Sequence, residues 1–207
     1  MSDYGYSSYW DERYSYHPND SYDWYQDYST LKDYLHPYLS KGKNDLNFEI
    51  LIPGCGNSTL SEEIYKEGFV NITSIDISSV VISQMRDRCA HLDEMEYTVM
   101  DALNMEYIPE ECFDLIIDKG LFDSQLCTQK NITNIRKLIN EMYRVLKPGG
   151  TYIVISHGPP DNRLGYLQRS LPWKVNYQSI EKQQVHGYEN ENEDEWHKYH
   201  YIYTCTK

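Results

Sequence analysis

"FEILIPGCGNSTLSEEIY", residues 48–65, runs from a short apolar stretch through two glycines into an acidic, helix-like pattern. The apolar run reads as a buried strand, Ser58 with Ser61, Glu62 and Glu63 opens a helix, and Gly68 closes it. A glycine-bearing turn between a strand and a helix is where doubly wound α/β sheets hold ligands, at the carboxyl ends of their strands. Gly54 and Gly56 permit close backbone approach, and the helix behind them offers unpaired amides to an anion. A dinucleotide fingerprint needs a third glycine three residues after the second. Thr59 stands there, which argues against NAD and FAD.

The same alternation continues outward. "NITSID" (71–76), "MEYTVMD" (95–101), "FDLIID" (113–118) and "TYIVIS" (151–156) read as strands. Between them, "SSVVISQMRDRCAHL" (78–92) reads as a serine-capped helix, and "NITNIRKLINEMYRVLKPGG" (131–150) as an amphipathic one stopped by Pro148 and two glycines. Beyond residue 165, "WKVNYQSIEKQ" and "WHKYHYIYTCTK" alternate with period two around an acidic, Asn-rich segment at 189–195. The expectation is an α/β, Rossmann-like doubly wound sheet of about seven strands, mostly parallel, with a C-terminal antiparallel strand pair.

Composition narrows the partners. The 207 residues carry 32 acidic and 19 basic side chains, a formal charge of −13, which repels a phosphate backbone or an anionic membrane and favours a basic partner. No apolar run reaches the roughly 18 residues of a membrane span, and "MSDYGYSSYWDERY" has no leader-like pattern, so a cytoplasmic location is expected. The five cysteines lack a CxxC pair, and neither a disulfide framework nor a metal site is expected. One domain over residues 9–207 is expected, behind a disordered, tyrosine-rich tail at 1–8.

Two carboxylates suggest what the glycine loop holds. Asp76 ends the second strand, 22 residues after Gly54, where an acid can take both hydroxyls of a ribose. Asp101 ends the third strand, within reach of an adenine edge. Either could instead serve the turn that follows it.

"ILIPGCGNSTLSE", "ITSIDISSVVI", "YTVMDALNM" and "FDLIIDKGLFDSQLC" resemble the successive motifs of class I S-adenosylmethionine-dependent methyltransferases. With "YWDERY" and "YDWYQDYSTL", they resemble more narrowly the group containing lysine methyltransferases of translation elongation factor 1-alpha. The resemblance implies S-adenosyl-L-methionine as cofactor, S-adenosyl-L-homocysteine as product, and a protein lysine as acceptor, with elongation factor 1-alpha the candidate partner. It implies an aromatic lid at residues 9–28, with Trp10, Tyr14 and Trp24 as cofactor contacts. Gly54, Asp76, Ile77, Asp101, Ala102 and Lys119 occupy the other matching positions. Relatives usually read Thr-Leu-Asp after "KG", whereas Leu121 and Phe122 follow here.

Asp118 and His157 follow the fourth and fifth strands, where each could relay a proton or simply hold a turn; no catalyst is assigned. The Asn/Asp-Pro-Pro-aromatic motif of adenine-amino methyltransferases is replaced by "DKGLF", so nucleic acid ranks behind protein as substrate. The alternatives are a methyltransferase acting on a small molecule or RNA, and a catalytically silent cofactor-binding partner of another enzyme.

Overall fold

The computed structural model describes residues 4–182 and 198–207, apart from residues 17, 19 and 170. Among them, one sheet collects β1 (Ile50–Pro53), β2 (Ile72–Asp76), β3 (Met95–Val99), β4 (Phe113–Lys119), β5 (Leu146–Ser156), β6 (Lys174–Glu181) and β7 (Tyr199–Thr206). The spatial order is β3-β2-β1-β4-β5-β7-β6. Strands β1 to β5 are parallel, and β7 inserts antiparallel between β5 and β6. The expected Rossmann-like sheet with an antiparallel terminal pair is therefore the observed one. Strand order reverses between β1 and β4, which opens a crevice at their carboxyl ends.

Side-chain alternation along each strand divides the core into two layers. Ile50, Ile52, Leu115, Ile117, Ile153 and Ile155 face one layer, while Leu51, Ile116, Tyr152 and Val154 face the other. The first layer is covered by α2 (Tyr28–Leu39), α3 (Leu60–Lys66) and α4 (Ser79–Arg88). The second is covered by α5 (Leu121–Leu126), α6 (Asn131–Val145) and α7 (Leu164–Gln168). Helix α2 begins where Asp27 accepts a hydrogen bond from the Thr30 amide at 3.0 Å, and it buries Leu31, Leu35 and Leu39 at four-residue spacing. Helix α6 buries Ile135, Leu138, Ile139, Met142 and Val145 in one stripe.

Two boundaries differ from expectation. The helix expected over 131–150 ends at Val145, because Leu146 is already extended and begins β5. Pro148, Gly149 and Gly150 lie within that strand, at a register shift opposite Phe113 and Leu115, and do not stop the helix. The disordered tail expected at 1–8 is also corrected for its described part. Helix α1 (Ser7–Tyr16) starts before Tyr9, and Tyr4 stacks on Trp10 with ring centroids 5.5 Å apart. Aromatic contact between Tyr4, Tyr9 and Trp10 orders the stretch that composition alone marks as low-complexity. The acidic segment at 189–195 lies outside the described residues.

Helix α2 is part of the core and not an appendage to it. Leu35 is fully buried in the first layer, so Leu35→Ala is expected to cost about 2–5 kcal/mol of unfolding free energy. Urea denaturation measures this; a loss under about 1 kcal/mol would mean that α2 packs only peripherally.

Candidate active site

The strand ends at the switch point line a cavity of about 310 Å³. All nine residues singled out as cofactor contacts border it: Trp10, Tyr14, Trp24, Gly54, Asp76, Ile77, Asp101, Ala102 and Lys119. The floor is the turn after β1. Gly54 and Gly56 take φ of +63° and +51°, and a side chain at Gly54 would meet the Leu121 Cβ at 2.9 Å. The Cys55 amide bonds the Ile75 carbonyl at 3.0 Å, tying the loop to the end of β2.

Asp76 is 8% exposed, and both its oxygens accept backbone amides: Oδ2 from Gly56 at 3.0 Å and Oδ1 from Ser78 at 2.9 Å. Burial pushes its carboxyl up to about 6, against the opposing effect of those amides. Asp101 is exposed and accepts the Leu103 amide at 2.9 Å. Ile77 is exposed at the rim, and Ala102 is buried beside it.

The N-terminal segment forms the opposite wall. Trp10 donates its indole N–H to the Tyr4 carbonyl at 2.8 Å and stacks on Tyr14 at 5.9 Å, and the Arg13 guanidinium lies 5.5 Å from the Trp24 ring. Burial pushes the Tyr14 hydroxyl up, so it remains protonated. Two aspartates that sequence reading passed over fasten this segment. Asp11 accepts the Ser78 hydroxyl at 2.6 Å at the start of α4. Asp23 accepts the hydroxyls of Ser58 and Thr59 and pairs with the Lys119 Nζ at 2.7 Å. Burial opposes a charge on Asp23, but Lys119 and the two hydroxyls outweigh it and hold the carboxyl below its usual range. The Lys119 ammonium, depressed by burial, also donates to the Trp24 carbonyl at 3.3 Å. Lys119 thus borders the cavity while its charge holds the N-terminal segment.

Asp118 and His157 separate clearly. Asp118 is fully buried away from the cavity lining, where it accepts the Phe122 amide at 3.1 Å and the Tyr152 hydroxyl at 2.9 Å. Burial pushes its carboxyl up to about 7, and its role is to hold the turn after β4. His157 lines the cavity, with its Nδ1 2.6 Å from Asp123 Oδ2. Burial would raise Asp123, yet the hydrogen bond from His157 and the Arg163 guanidinium bring its carboxyl down to about 2. Tyr25, at φ +68°, donates its hydroxyl to the same oxygen at 2.9 Å. Asp123 occupies the aspartate position of "KG-Thr-Leu-Asp", a signal present in "DKGLFD" and overlooked beside the two changed residues. Tyr25 gave no sequence signal, since its role depends on a left-handed backbone that favours glycine.

A seven-stranded sheet of this order, with a glycine turn, a ribose-reach acid and an aromatic wall around one cavity, defines a nucleoside-cofactor α/β fold. The family described as Methyltransferase domain matches residues 45–204, and the chain belongs to that family. It is 34% identical over 179 residues to EEF1A lysine methyltransferase 4 of Bos taurus, spanning 82% of this chain and 68% of that protein. It is also 34% identical over 157 residues to the eEF1A lysine and N-terminal methyltransferase of Homo sapiens, covering 74% of this chain but only 22% of that longer protein. Among solved structures, the N-methyltransferase NodS of Bradyrhizobium japonicum, in complex with S-adenosyl-l-homocysteine, matches with a TM-score of 0.64 at 16% identity. That match covers 96% of this chain and 98% of that one, and it speaks to the fold.

The Asp23–Lys119 pair can be tested directly. Their side chains are 17% and 5% exposed, so Asp23→Ala leaves a buried ammonium unpaired and is expected to cost about 3 kcal/mol. Adding Lys119→Met should recover at least half of that loss. Strictly additive losses in a double-mutant cycle by urea denaturation would show that the pair does not fasten the N-terminal segment.

Proposed function

We propose that this chain is an S-adenosyl-L-methionine-dependent protein-lysine N-methyltransferase whose substrate is translation elongation factor 1-alpha. One observation carries the reading: a chain whose relatives are named for eEF1A lysine methylation, at 34% identity over 82% of its length, gathers every expected cofactor position around a single cavity. In the proposed complex Asp76 takes the ribose hydroxyls, the Asp101–Ala102 turn meets the adenine, and the loop at Gly54 approaches the methionine end. Trp10, Tyr14 and Trp24 cover the cofactor, whose sulfonium charge is attracted to aromatic faces. The acceptor amine attacks the methyl carbon in line with the carbon–sulfur bond, so the protein's task is to desolvate, align and deprotonate it. The charge of −13 favours encounter with a basic protein surface, and the proposed place of action is the cytoplasm.

Incubation with methyl-labelled cofactor and purified elongation factor 1-alpha, followed by mass spectrometry of the product, is expected to find label on a lysine. Cofactor binding without transfer to any protein would favour the silent-partner alternative, and label on RNA or a small molecule would replace the acceptor.

The ribose acid gives a pH test. Two hydroxyls can donate to an ionised Asp76 but not equally to a protonated one, so cofactor affinity is expected to fall as pH drops through about 6. Asp76→Asn should weaken binding at least tenfold, by charge-assisted bonds of about 1.5–3 kcal/mol each, and should flatten the pH dependence. Calorimetry from pH 5 to 8 measures both. Equal affinity and equal pH dependence in a folded variant would remove Asp76 from the site.

A further inference from the structure

The proposed reaction needs a place for the acceptor amine, which arrives as an ammonium and attacks only after losing its proton. Tyr25, Asp123 and His157 line the cavity and are not among the cofactor positions. They meet where β4 runs into α5 and where β5 ends. Asp123 is 3% exposed and surrounded by donors. Its Oδ1 accepts the Ser156 hydroxyl at 2.7 Å and lies 3.0 Å from both Nε and Nη2 of Arg163. Its Oδ2 accepts the His157 amide at 2.9 Å and the Tyr25 hydroxyl at 2.9 Å, and faces His157 Nδ1 at 2.6 Å. A carboxylate so placed only accepts, so Nδ1 carries the imidazole hydrogen, and the ring's lone pair is left at Nε2. Nε2 makes no hydrogen bond among the described residues, on a ring whose side chain is 48% exposed at the cavity.

We propose that Tyr25, Asp123 and His157 form the acceptor-amine subsite, in which His157 Nε2 takes the proton of the substrate lysine while Asp123 holds the ring. This assignment rests on the lysine-methyltransferase reading above. The substrate ammonium gives one proton to Nε2, and the freed nitrogen lone pair attacks the cofactor's methyl carbon. A nitrogen–carbon bond forms as the carbon–sulfur bond breaks, and its electron pair stays on sulfur. The products are a methylated ammonium, neutral S-adenosyl-L-homocysteine and an imidazolium that returns its proton to water. Asp123 stabilises that imidazolium at Nδ1, and the Tyr25 ring offers a face to the incoming cation.

Other groups near the cavity are less suited. Asp118 is bound to the Phe122 amide and Tyr152, and Lys119 is a cation paired with Asp23. His200, whose ring lies 5.0 Å from Tyr25, is pushed down to about 4 by burial and by Lys182, and its Nδ1 faces the Gln26 amide at 3.1 Å. The groups facing His157 are thus Asp123, whose other oxygen holds Arg163, Tyr25 from the N-terminal segment, and His200 from β7.

Methyl transfer to elongation factor 1-alpha by the parent, His157→Gln and His157→Ala, measured from pH 6 to 10 beside cofactor affinity by calorimetry, tests the assignment. The variants are expected to lose about 100-fold or more in kcat, with cofactor affinity within threefold of the parent. The parent's kcat should rise with pH to a plateau, whereas the His157→Ala rate should climb across the whole range and recover when imidazole is added. Retention of the parent's kcat and pH profile in His157→Ala would overturn the proposal. So would a loss matched by an equal loss of cofactor affinity without imidazole rescue, which marks a structural histidine. A parent that binds cofactor but labels no lysine overturns the lysine-methyltransferase reading itself, and is told apart because the parent, not the variant, then fails.

Discussion

A carboxylate taken out of water must be met by donors or keep its proton, and the strand ends of this protein are organised by that constraint. Asp76 takes the amides of Gly56 and Ser78, which fixes the glycine loop against the start of α4. Asp118 takes the Phe122 amide and the Tyr152 hydroxyl, which sets the turn from β4 into α5. Asp23 and Asp11 come from the N-terminal segment and find their donors on the sheet side of the cavity, at Ser58, Thr59, Lys119 and Ser78. Each interaction is worth about 1.5–3 kcal/mol when charge-assisted. Removing one partner costs more than the bond returns, because the other is left desolvated. The loops around the cavity are therefore held by polar geometry as much as by packing.

Asp118 and Asp123 illustrate how far that geometry divides similar groups. Five residues apart and both buried, they are pushed in opposite directions, to about 7 and about 2. The first faces backbone amides and a phenol, with no cation beside it among the described residues to offset its burial. The second faces a guanidinium, an imidazole and two hydroxyls, and so stays ionised. An ionised carboxylate accepts the hydrogen at Nδ1, which holds a histidine tautomer, and its charge also stabilises the protonated ring. Position after a strand is thus insufficient to assign a role; the donors gathered around each acid decide it.

The sheet was legible because its signals are local: short apolar runs, serine and glycine punctuation, and alternation in the final strands. That the residues singled out share one cavity was legible for a related reason, since glycine turns and acids at strand ends are tied to a fixed place in this topology. Legibility failed where contacts join distant segments. Nothing local to Asp23 announces Lys119, 96 residues away, and nothing local to Tyr25 announces Asp123, 98 residues away. The start of the chain misled for a similar reason. Tyr4 is ordered by rings in α1 and not by its own composition. Pro148 misled in the opposite sense, because the chain had left the helix at Val145 and the proline merely sits in a strand at a register shift.

Residues 22–26 join these separate parts into one device. Tyr22 and Trp24 border the cavity, with Arg13 over both rings. Between them Asp23 reaches the glycine-loop helix and Lys119. Tyr25 turns the other way, through a left-handed backbone, to Asp123, and Gln26 donates to the Glu181 carbonyl at 2.8 Å beside His200. Five consecutive residues therefore contact the end of β4, the start of α3, Asp123 and the terminal strand pair. Alternating side chains of an extended segment cannot reach so many targets on one face; the positive φ at Tyr25 redirects the chain so that they do. One short stretch of backbone thus carries both the contact to the Asp23–Lys119 pair and the contact to the Asp123–His157 pair, so the two parts of the cavity wall share a single support.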